Sequence, residues 1–365
     1  SGDDIVLTYA CWDTSQAPVY EELFRKFEEE NPNIKVQTDL STWKDYWVKL
    51  EASITGQNAP DIFWLNIPRS RNYITNDVLM PLDDLNIEFD KLPEQHLGAY
   101  TYEDTLYGVP KDFDTMGLWY NKTMFDEAGI PYPTDNWTWD DLIENAKAIT
   151  DTEKGIYGFC APLTWQGGYY EAIYQNGGYT FSEDGLHSGF NDPKTVGGVE
   201  FWANLTFDGI SPPVEEIANS QASELFQNGK VAMFFEGSYL APKLFQEADR
   251  KDEFDVAMMP KGGEKIAGTS NSLAHVVYSG SKNSDAAKKL VEFLSTKEAN
   301  IHVAESGVVI PAFEGSQEAW VNAFPDKNAK IFIDMVNHSV PLPNAMHSSA
   351  AIAMELEVLA RAWSK

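Results

Sequence analysis

Residues 5–38 read IVLTYACWDTSQAPVYEELFRKFEEENPNIKVQT. The run at 5–11 is short, apolar and rich in β-branched residues, which predicts a buried strand. Apolar residues then recur at helical spacing over 19–30, and Pro32 marks the end of that helix. A second apolar run at 34–38 predicts the next strand. This segment therefore predicts a strand–helix–strand unit.

The same alternation continues further along the chain. A helix is predicted at 45–54 and a strand at 61–65. Strands that alternate with helices favour an α/β fold with a mainly parallel sheet and helices on both faces. In such sheets, ligands bind beyond the carboxyl ends of the strands. Later strands are predicted at 156–161, 230–235, 254–259 and 273–279.

The length and charge of the chain limit its architecture and its partners. With 365 residues it exceeds the roughly 250–300 at which a single core stops growing, which predicts two lobes. The 27 basic and 56 acidic residues give a net charge of −29, which argues against nucleic acid and anionic lipid as partners. The sequence motifs of zinc, nucleotide and dinucleotide sites are absent. We therefore expect no cofactor and no metal site.

Few features point to a membrane or to covalent cross-links. No apolar run approaches the roughly 20 residues that a membrane helix needs. The opening residues 1–4, SGDD, resemble a cloning remnant ahead of a mature start, so we expect that an export signal has been removed. Cys11 and Cys160 are too few for a disulfide framework. We expect two free, buried thiols, with a bridge between them as the alternative.

Aromatic residues are abundant, with 11 Trp, 16 Tyr and 20 Phe, and we expect most of them in the core. A subset stands with polar residues directly after predicted strands. Trp12 and Asp13 follow the first strand, while Trp43 follows the second and Asn66 the third. Of the three aromatic residues in 43–47, we expect one to face a ligand and the others to pack the helix. Rings that stack on a pyranose, beside carboxylates and amides that bind its hydroxyls, are typical of a sugar site.

Several segments carry a resemblance to a known family, and together they span nearly the whole chain. They are FRKFEEENPNIKV at 24–36, APDIFWLN at 59–66, LYGVP at 106–110, LWYNK at 118–122, FDEAGIP at 125–131, WTWDDL at 137–142 and FQNGKVAM at 226–233. In this order and at this spacing, they resemble the extracellular solute-binding proteins of carbohydrate ABC importers. That family includes the maltodextrin-binding proteins.

The resemblance implies the type II periplasmic-binding-protein fold. In that fold two α/β lobes are joined by hinge crossings and close on the ligand. Lobe one would comprise residues 1–111 and the return segment 267–310. Lobe two would comprise residues 112–266 and the C-terminal helices at 311–365.

The resemblance also implies a set of ligand-binding residues, which lie after strands, at the hinge or in the C-terminal loop. They are Trp12, Asp13, Trp43, Asn66, Arg69, Asp112, Asp114, Trp165, Glu236, Tyr239, Asn271, Asn344 and His347. Maltodextrin binders carry an aromatic residue in the loop of Asn344 and His347. This chain lacks it there, which argues against a maltose-type ligand.

Two alternatives remain open at this point. A glycoside hydrolase would use Glu236 with Asp112 or Asp114, one carboxyl group on each side of the scissile bond. Asp112 and Asp114 are two residues apart on an extended segment, so their side chains should share one face and flank such a bond poorly. A receptor could instead bind a polyol or a glycerophosphodiester. The acidic balance disfavours a phosphate ligand.

The interpretation that best fits these features is a receptor without enzymatic activity. It would capture an oligosaccharide between the lobes and deliver it to the membrane permease subunits of an ABC importer. We expect a monomer. We expect it outside the cell, either lipid-anchored in a Gram-positive bacterium or periplasmic.

Overall fold

The computed structural model describes residues 4–364, except for the side chains of residues 219 and 220. Residues 1–3, on which the expected removal of an export signal depends, lie outside this part. The described chain forms two compact units. Unit 1 comprises the chain up to Phe113 together with Asn271–Ala323, and unit 2 comprises Asp114–Ser270 together with the chain from Phe324 onward. None of the helices in residues 4–364 combines the length and the apolar character of a bilayer-spanning segment.

Strands and helices alternate over residues 5–75, as predicted, whereas runs of several strands or several helices follow. The strands are β1 Ile5–Cys11, β2 Ile34–Leu40, β3 Ile62–Asn66, β4 Thr101–Tyr102, β5 Thr105–Leu106, β6 Val109–Pro110, β7 Asp112–Asn121, β8 Met233–Gly237, β9 Phe254–Ala257, β10 Gly268–Asn271, β11 Leu273–Val277, β12 Ile310–Pro311 and β13 Ser339–Pro341. The helices are α1 Ala17–Glu30, α2 Trp43–Thr55, α3 Ile67–Thr75, α4 Glu94–Ala99, α5 Lys122–Ala128, α6 Trp139–Ile149, α7 Tyr170–Gln175, α8 Pro193–Phe207, α9 Val214–Ser220, α10 Ala222–Gln227, α11 Ser284–Leu294, α12 Lys297–Ser306, α13 Gln317–Asn322, α14 Ile331–Asp334 and α15 Ser348–Trp363.

Unit 1 is built on a sheet with the strand order β2-β1-β3-β11-β6. β1 runs parallel to β2, with Ile5 opposite Ile34, and it also runs parallel to β3. β11 lies in the return segment of the chain and runs antiparallel to both β3 and β6. The parallel part of the sheet, with α1 and α2 as its crossovers, confirms the predicted strand–helix–strand rhythm.

Helix α1 shows how the opening sequence specifies this unit. Its apolar residues, among them Leu23, Phe24 and Phe27, are buried in the same core as β1 and β2. The exposed face carries charged residues, as the helical spacing requires. The helix ends where the backbone N–H of Asn31 donates to the Phe27 carbonyl at 2.9 Å, directly before Pro32. The predicted helix is therefore confirmed, and it begins two residues earlier than expected.

Unit 2 contains a sheet of mixed strand directions. β7 runs antiparallel to β8, with Gly117 opposite Glu236, and also antiparallel to β9. β10 pairs in parallel with β13. The mainly parallel pairing that the sequence favoured is therefore found in the first strands of unit 1, whereas unit 2 owes most of its pairing to antiparallel neighbours of β7.

The predicted strand at 156–161 is wrong. This segment forms isolated bridges, at Ile156, Tyr157 and Cys160, in place of a continuous ladder. The N–H groups between the bridges go elsewhere, because Gly158 donates to the Thr150 hydroxyl at 2.9 Å and Phe159 donates to a carbonyl outside the sheet. An apolar run without its own ladder cannot be told from a strand by composition.

The contact units divide the chain slightly differently from the predicted lobes. Residues 112, 113 and 311–323, assigned to lobe two, belong to unit 1, and residues 267–270, assigned to lobe one, belong to unit 2. Ile310 pairs with Phe113, and the indole N–H of Trp320 donates to the Gly307 carbonyl at 3.1 Å. These contacts attach the end of the return segment to the rest of unit 1.

Both cysteines are free and buried, which confirms the first of the two expectations about them. Cys11 ends β1 in unit 1, and Cys160 lies in unit 2. Burial raises the pKa of the Cys11 thiol to about 12 and raises the pKa of Cys160 as well. Both thiols therefore stay protonated and unreactive at neutral pH.

Candidate functional site

Unit 1 places a cluster of rings beyond the carboxyl end of β1. The ring of Trp12 lies 5.0 Å from Trp43, 4.8 Å from Tyr46, 5.5 Å from Trp47 and 5.1 Å from Trp64, measured between ring centroids. We call these five residues the unit 1 aromatic cluster. Most of its contacts are edge-to-face, the geometry that the ring quadrupole favours. Trp12 is half-buried, and Trp43 is 46% exposed.

The local sequence explains why Trp43 points outward. Thr42 caps α2 by accepting a hydrogen bond from the Asp45 N–H at 3.2 Å, so the helix begins at Trp43. Trp47 lies one turn later on the same face and is buried, and the Tyr46 hydroxyl donates to the Trp64 carbonyl at 2.6 Å. Of the three aromatic residues in 43–47, Trp43 is thus the one that remains available to solvent.

Asn66 and Arg69 lie beside this cluster at the end of β3. The side chain of Asn66 is buried, and its Oδ1 has no hydrogen-bond partner within the described part of the chain. The guanidinium of Arg69 lies 3.9 Å from the ring centroid of Trp47 and 5.6 Å from that of Trp43. Partial burial lowers the pKa of Arg69, but a guanidinium stays charged at neutral pH. The Arg69 guanidinium therefore lies against two rings of the aromatic cluster, and Asn66 follows the Trp64 ring of that cluster by two residues in β3.

Asp13 has a structural task in this conformation. Its carboxylate accepts hydrogen bonds from the N–H groups of Ser15 at 2.7 Å and Gln16 at 3.0 Å. It also accepts one from the side-chain amide of Gln16, at 3.0 Å. These bonds satisfy donors ahead of α1. Its predicted role as a ligand-binding residue stays a prediction.

Asp112 is 3% exposed and forms an ion pair with the buried side chain of Lys111, with 2.5 Å between Nζ and Oδ2. Its other oxygen accepts from the Leu273 N–H at 3.2 Å. Burial lowers the pKa of Lys111 and the adjacent carboxylate raises it, with a net rise. Lys111 also lies 4.0 Å from the ring centroid of Trp64, and it donates to Gln16 at 2.9 Å. Through Lys111, this ion pair connects the first residue of β7 to Gln16 and to the Trp64 ring of the aromatic cluster.

The predicted pair Asp112 and Asp114 is split between two environments. Asp112 belongs to unit 1 and is buried, whereas Asp114 belongs to unit 2 and is half-buried. The Gln166 side chain donates to Asp114 at 3.2 Å. Asn271, also predicted as a ligand residue, accepts a bond from the Ser272 N–H at 3.0 Å through Oδ1.

In unit 2, a bent loop at 165–169 carries Trp165. Gly167 in this loop has a φ of +70°, which favours glycine, and its N–H donates to Glu171 at 3.0 Å. Glu171 is fully buried and also accepts from the N–H and the hydroxyl of Thr269, at 2.7 and 2.6 Å. Burial raises the pKa of Glu171 to about 7. This carboxyl group therefore ties the Trp165 loop to β10.

Glu236 and Tyr239 lie next to the same loop, at the carboxyl end of β8. Glu236 accepts through Oε1 from the Gly237 N–H at 2.9 Å and from the Tyr239 hydroxyl. A Cβ added at Gly167 would lie 3.6 Å from that same oxygen. Burial raises the pKa of both Glu236 and Tyr239. Asp114, Trp165, Glu236 and Tyr239 are thus connected through one loop.

The ring of Trp165 is connected to the C-terminal helix α15 through Tyr170. It lies 6.0 Å from Tyr170 in an edge-to-face contact. Tyr170 and Tyr169 both donate to Oε2 of Glu355 in α15, at 2.9 and 3.1 Å. Burial raises the pKa of Glu355 to about 7. The aromatic wall of unit 2 is therefore held by a helix that follows it by almost 180 residues in the sequence.

The remaining two predicted residues lie in the loop before α15. Asn344 is half-buried. His347 is exposed, has a φ of +68°, and its carbonyl accepts from the Ala351 N–H at 3.0 Å. Its backbone therefore begins the helix, and its side chain faces solvent.

Sequence reasoning missed Lys111, Glu171 and Glu355. All three are charged residues that are buried or half-buried. Lys111 pairs with the adjacent Asp112, Glu171 joins the Trp165 loop to Thr269, and Glu355 accepts from the two tyrosines that follow that loop. Nothing in their immediate sequence marks them as buried. Glu171 lies in the helix that follows the Trp165 loop, and this short separation was the available signal.

The sequence profile of the bacterial extracellular solute-binding proteins matches residues 13–301 of this chain. A galactooligosaccharide-binding protein from Bacillus subtilis is 27% identical over 78% of this chain and 68% of its own length. A multiple sugar-binding protein from Streptococcus mutans is 22% identical over 81% of this chain and 72% of its own.

Solved structures are also similar to this chain. A substrate-binding protein of an ABC transporter from Listeria monocytogenes, in complex with cycloalternan, superposes with a TM-score of 0.88 at 29% identity, over 95% of this chain and 90% of its own. The GacH receptor of Streptomyces glaucescens, solved unliganded and with acarbose, superposes with a TM-score of 0.86 at 22% identity, over 97% of this chain and 92% of its own. These likenesses confirm the two-lobe α/β fold class. The chain belongs to the family of bacterial extracellular solute-binding proteins.

Proposed function

We propose that this protein is a receptor that binds an oligosaccharide and delivers it to the permease subunits of an ABC importer. The observation that carries the proposal is the half-exposed indole of Trp43, backed by Trp12 and Trp47 and flanked by the Arg69 guanidinium. Relatives named for galactooligosaccharides, multiple sugars and cycloalternan support the same substrate class.

The chemistry of the unit 1 cluster suits a neutral sugar. The apolar face of a pyranose ring would stack on Trp43, whose ring is already fixed by its neighbours, so little side-chain entropy would be lost on binding. Hydroxyl groups of the sugar could accept hydrogen bonds from the Arg69 guanidinium.

The environment of Asp112 favours binding over hydrolysis. A glycosidase would need that carboxyl group to reach the sugar. It is instead buried against Lys111 and bonded to the backbone of β11. Asp114 could still serve as an acceptor for a hydroxyl group. The family and the named relatives are solute-binding proteins, which supports a function without catalysis.

Ligand type, location and partners form the finer part of the proposal. A net charge of −29 disfavours a glycerophosphodiester, because the anion would have to approach a like charge. A polyol would not use several stacking rings. Membership in an extracellular solute-binding family supports a place outside the cytoplasm. A lipid anchor, a periplasmic location and a monomeric state stay predictions.

A thermal-shift and calorimetry screen tests the proposal. The probes are cycloalternan, acarbose, lactose, maltose, galactooligosaccharides and arabinooligosaccharides, with glycerol and glycerophosphocholine for the alternatives. We expect at least one oligosaccharide to raise the melting temperature and to bind near micromolar, about −8 kcal/mol. Trp43→Ala and Trp165→Ala should each weaken that binding strongly. Phe207→Ala, at an exposed aromatic residue elsewhere, should not change it.

Two results would contradict the proposal. The first is that no carbohydrate stabilises the protein while glycerol or the phosphodiester does. The second is that incubation with a labelled oligosaccharide releases shorter products at a rate that depends on Glu236. That second result would make the protein a hydrolase and would restore the alternative that the sequence left open.

A further inference from the structure

A row of hydrogen-bonded side chains leads from Asp13 to Lys111. The side-chain amide of Gln16 donates through Nε2 to Oδ2 of Asp13 at 3.0 Å, and its Oε1 accepts from the Lys111 ammonium at 2.9 Å. Gln16 and Lys111 are buried, whereas Asp13 is half-buried. We call these three residues the Asp13–Lys111 network. It lies within unit 1 alone.

Lys111 decides the orientation of the Gln16 amide. An ammonium group has three N–H donors and no acceptor, so only the oxygen of that amide can face it. The nitrogen of the amide is then directed to the other side, where Asp13 accepts from it. The orientation of Gln16 is therefore determined by a residue that follows it by 95 positions in the sequence.

Lys111 is itself fixed by its own contacts. Its two other donors bind Oδ2 of Asp112 at 2.5 Å and the Tyr20 hydroxyl at 3.4 Å. Its backbone N–H donates to the Leu273 carbonyl at 2.8 Å, and its carbonyl accepts from the Ala312 N–H at 3.1 Å. A buried ammonium group whose donors are all used is held rigidly in place.

The Asp13 carboxylate can accept one more hydrogen bond. Within residues 4–364 it accepts three, of which two come to Oδ1, from the N–H groups of Ser15 and Gln16, and one comes to Oδ2. A carboxylate has about four acceptor positions, so Oδ2 has capacity for one bond from a group outside the protein. Asp13 also follows Trp12 of the aromatic cluster directly in the sequence.

We propose that Gln16 and Lys111 are positioning residues for sugar binding, which hold the Asp13 carboxylate in place so that it accepts a hydrogen bond from a sugar hydroxyl group. The inference rests on the proposed function and deepens it, because it names two buried residues that set the affinity without touching the sugar. A carboxylate that is fixed before binding loses little rotamer freedom when the sugar arrives. Removing its support should therefore weaken binding.

Two substitutions at Gln16 test this support. Gln16→Glu has the same shape and keeps an acceptor for Lys111, but it turns an oxygen toward Asp13 in place of the N–H donor. Gln16→Met removes both hydrogen bonds without adding a charge. Gln317→Met is the matched control, since Gln317 also lies in unit 1 and its amide also donates two hydrogen bonds, each at 2.9 Å.

Calorimetry uses the carbohydrates of the screen, namely cycloalternan, acarbose, lactose, maltose, galactooligosaccharides and arabinooligosaccharides. For those that bind the unmodified protein, we expect both Gln16 variants to lose about tenfold or more in affinity. Gln317→Met should bind like the unmodified protein. Urea unfolding verifies that each variant is folded.

A cycle of combined variants separates a positioning role from a purely structural one. Asp13→Asn keeps a side-chain acceptor for the N–H groups ahead of α1, and it should weaken binding by itself. Because Gln16 acts through Asp13, adding Gln16→Met to Asp13→Asn should cost less than about threefold in further affinity. Likewise, Lys111→Met with Asp112→Asn should weaken binding when Gln16 is present and should add less than about threefold to the loss in Gln16→Met.

Three results would refute the positioning role while the proposed function stands. They are unchanged affinity in Gln16→Glu, unchanged affinity in Asp13→Asn, and losses that simply add when the variants are combined. If no carbohydrate of the screen binds the unmodified protein, the proposed function fails, and the positioning role fails with it.

Discussion

The guanidinium of Arg69 lies 3.9 Å from the ring centroid of Trp47, and no described residue offers it a carboxylate within ion-pair distance. Helix α3 places Arg69 one turn after the end of β3, and α2 places Trp47 one turn after Trp43. Two helix starts thus bring a cation and two indole rings together. A planar cation over an indole ring has N–H donors around its edge, and we propose that those of Arg69 donate to the sugar.

Arg69→Lys should therefore weaken oligosaccharide binding, although it keeps the charge. A lysine ammonium lacks the planar set of donors and is more strongly hydrated. We expect a loss of about tenfold in affinity, measured by calorimetry, with little change in melting temperature. Arg71→Lys is the control. Arg71 lies on the same helix as Arg69, and its guanidinium lies 4.7 Å from the ring centroid of Tyr102, outside the aromatic cluster. Equal affinities for the two variants would show that Arg69 does not contact the sugar.

Much of unit 1 could be predicted from the sequence because its signals are local. An apolar run, a helical spacing and a terminating Asn31-Pro32 are each decided within a few residues. The position of Trp12 after β1 follows from the same pattern. The strand predicted at 156–161 failed for the opposite reason. The N–H groups of Gly158 and Phe159 donate to the Thr150 hydroxyl and the Ile210 carbonyl, and composition does not reveal these partners.

The sequence predicted which residue types form the candidate site, but it did not predict which of those residues are buried. Trp43, Trp165 and Glu236 lie beside rings and loops that could contact a ligand. Asp112 was expected to be an acceptor for a ligand, and its burial depends on Lys111 and on a strand more than 150 residues away. Burial of a charge is decided by long-range packing, which no local pattern records.

The ion pair of Lys111 and Asp112 should be strongly coupled. Lys111→Met leaves a buried carboxylate without its cation, which we expect to cost about 3–5 kcal/mol of unfolding free energy. The double variant Lys111→Met with Asp112→Asn removes both charges, and the neutral amide can still accept from the Leu273 N–H. It should be less destabilised than Lys111→Met alone, in urea unfolding followed by fluorescence.

Additive effects of the two substitutions would contradict this expectation. Lys154→Met serves as the control, because its ion pair with Asp151 is exposed and such pairs contribute little. It should change the unfolding free energy by less than about 1 kcal/mol.

Glu171 should make the protein less stable as the pH rises from about 4.5 to about 7. Burial raises the pKa of this carboxyl group from 4.5 to about 7 in the folded state, so the folded protein binds the proton more tightly than the unfolded chain does. Below pH 4.5 both states are protonated and the effect vanishes. Above pH 7 the loss is complete and amounts to roughly 3 kcal/mol.

Urea unfolding at pH 5 and pH 8 measures this contribution. Glu171→Gln should be less stable overall at pH 5, because it disturbs the bonds to Thr269, but its stability should change less between the two pH values. Glu355 titrates in the same window, so Glu355→Gln should remove a further part of the pH dependence. Glu127→Gln, at an exposed carboxylate, is the control. An unchanged pH dependence in Glu171→Gln would show that this group does not bind a proton near neutral pH.

Gly167→Ala should weaken sugar binding through the Trp165 loop. The residue has a φ of +70°, and an added Cβ would lie 3.2 Å from the Phe235 carbonyl oxygen. The loop would have to shift away from β8, and Trp165 would move with it. The left-handed conformation alone costs an alanine about 1–2 kcal/mol, so the loss of stability does not by itself identify the contact.

Gly129→Ala separates the two contributions, because Gly129 has a φ of +68° and a Cβ there would meet nothing within 4 Å. Both variants should lose similar backbone free energy in urea unfolding, and Gly167→Ala should lose somewhat more. In calorimetry with the best oligosaccharide of the screen, Gly129→Ala should bind like the unmodified protein and Gly167→Ala should bind at least about tenfold more weakly. Because Gly129 controls for backbone strain, unchanged affinity in Gly167→Ala would mean that the Trp165 loop does not contact the sugar.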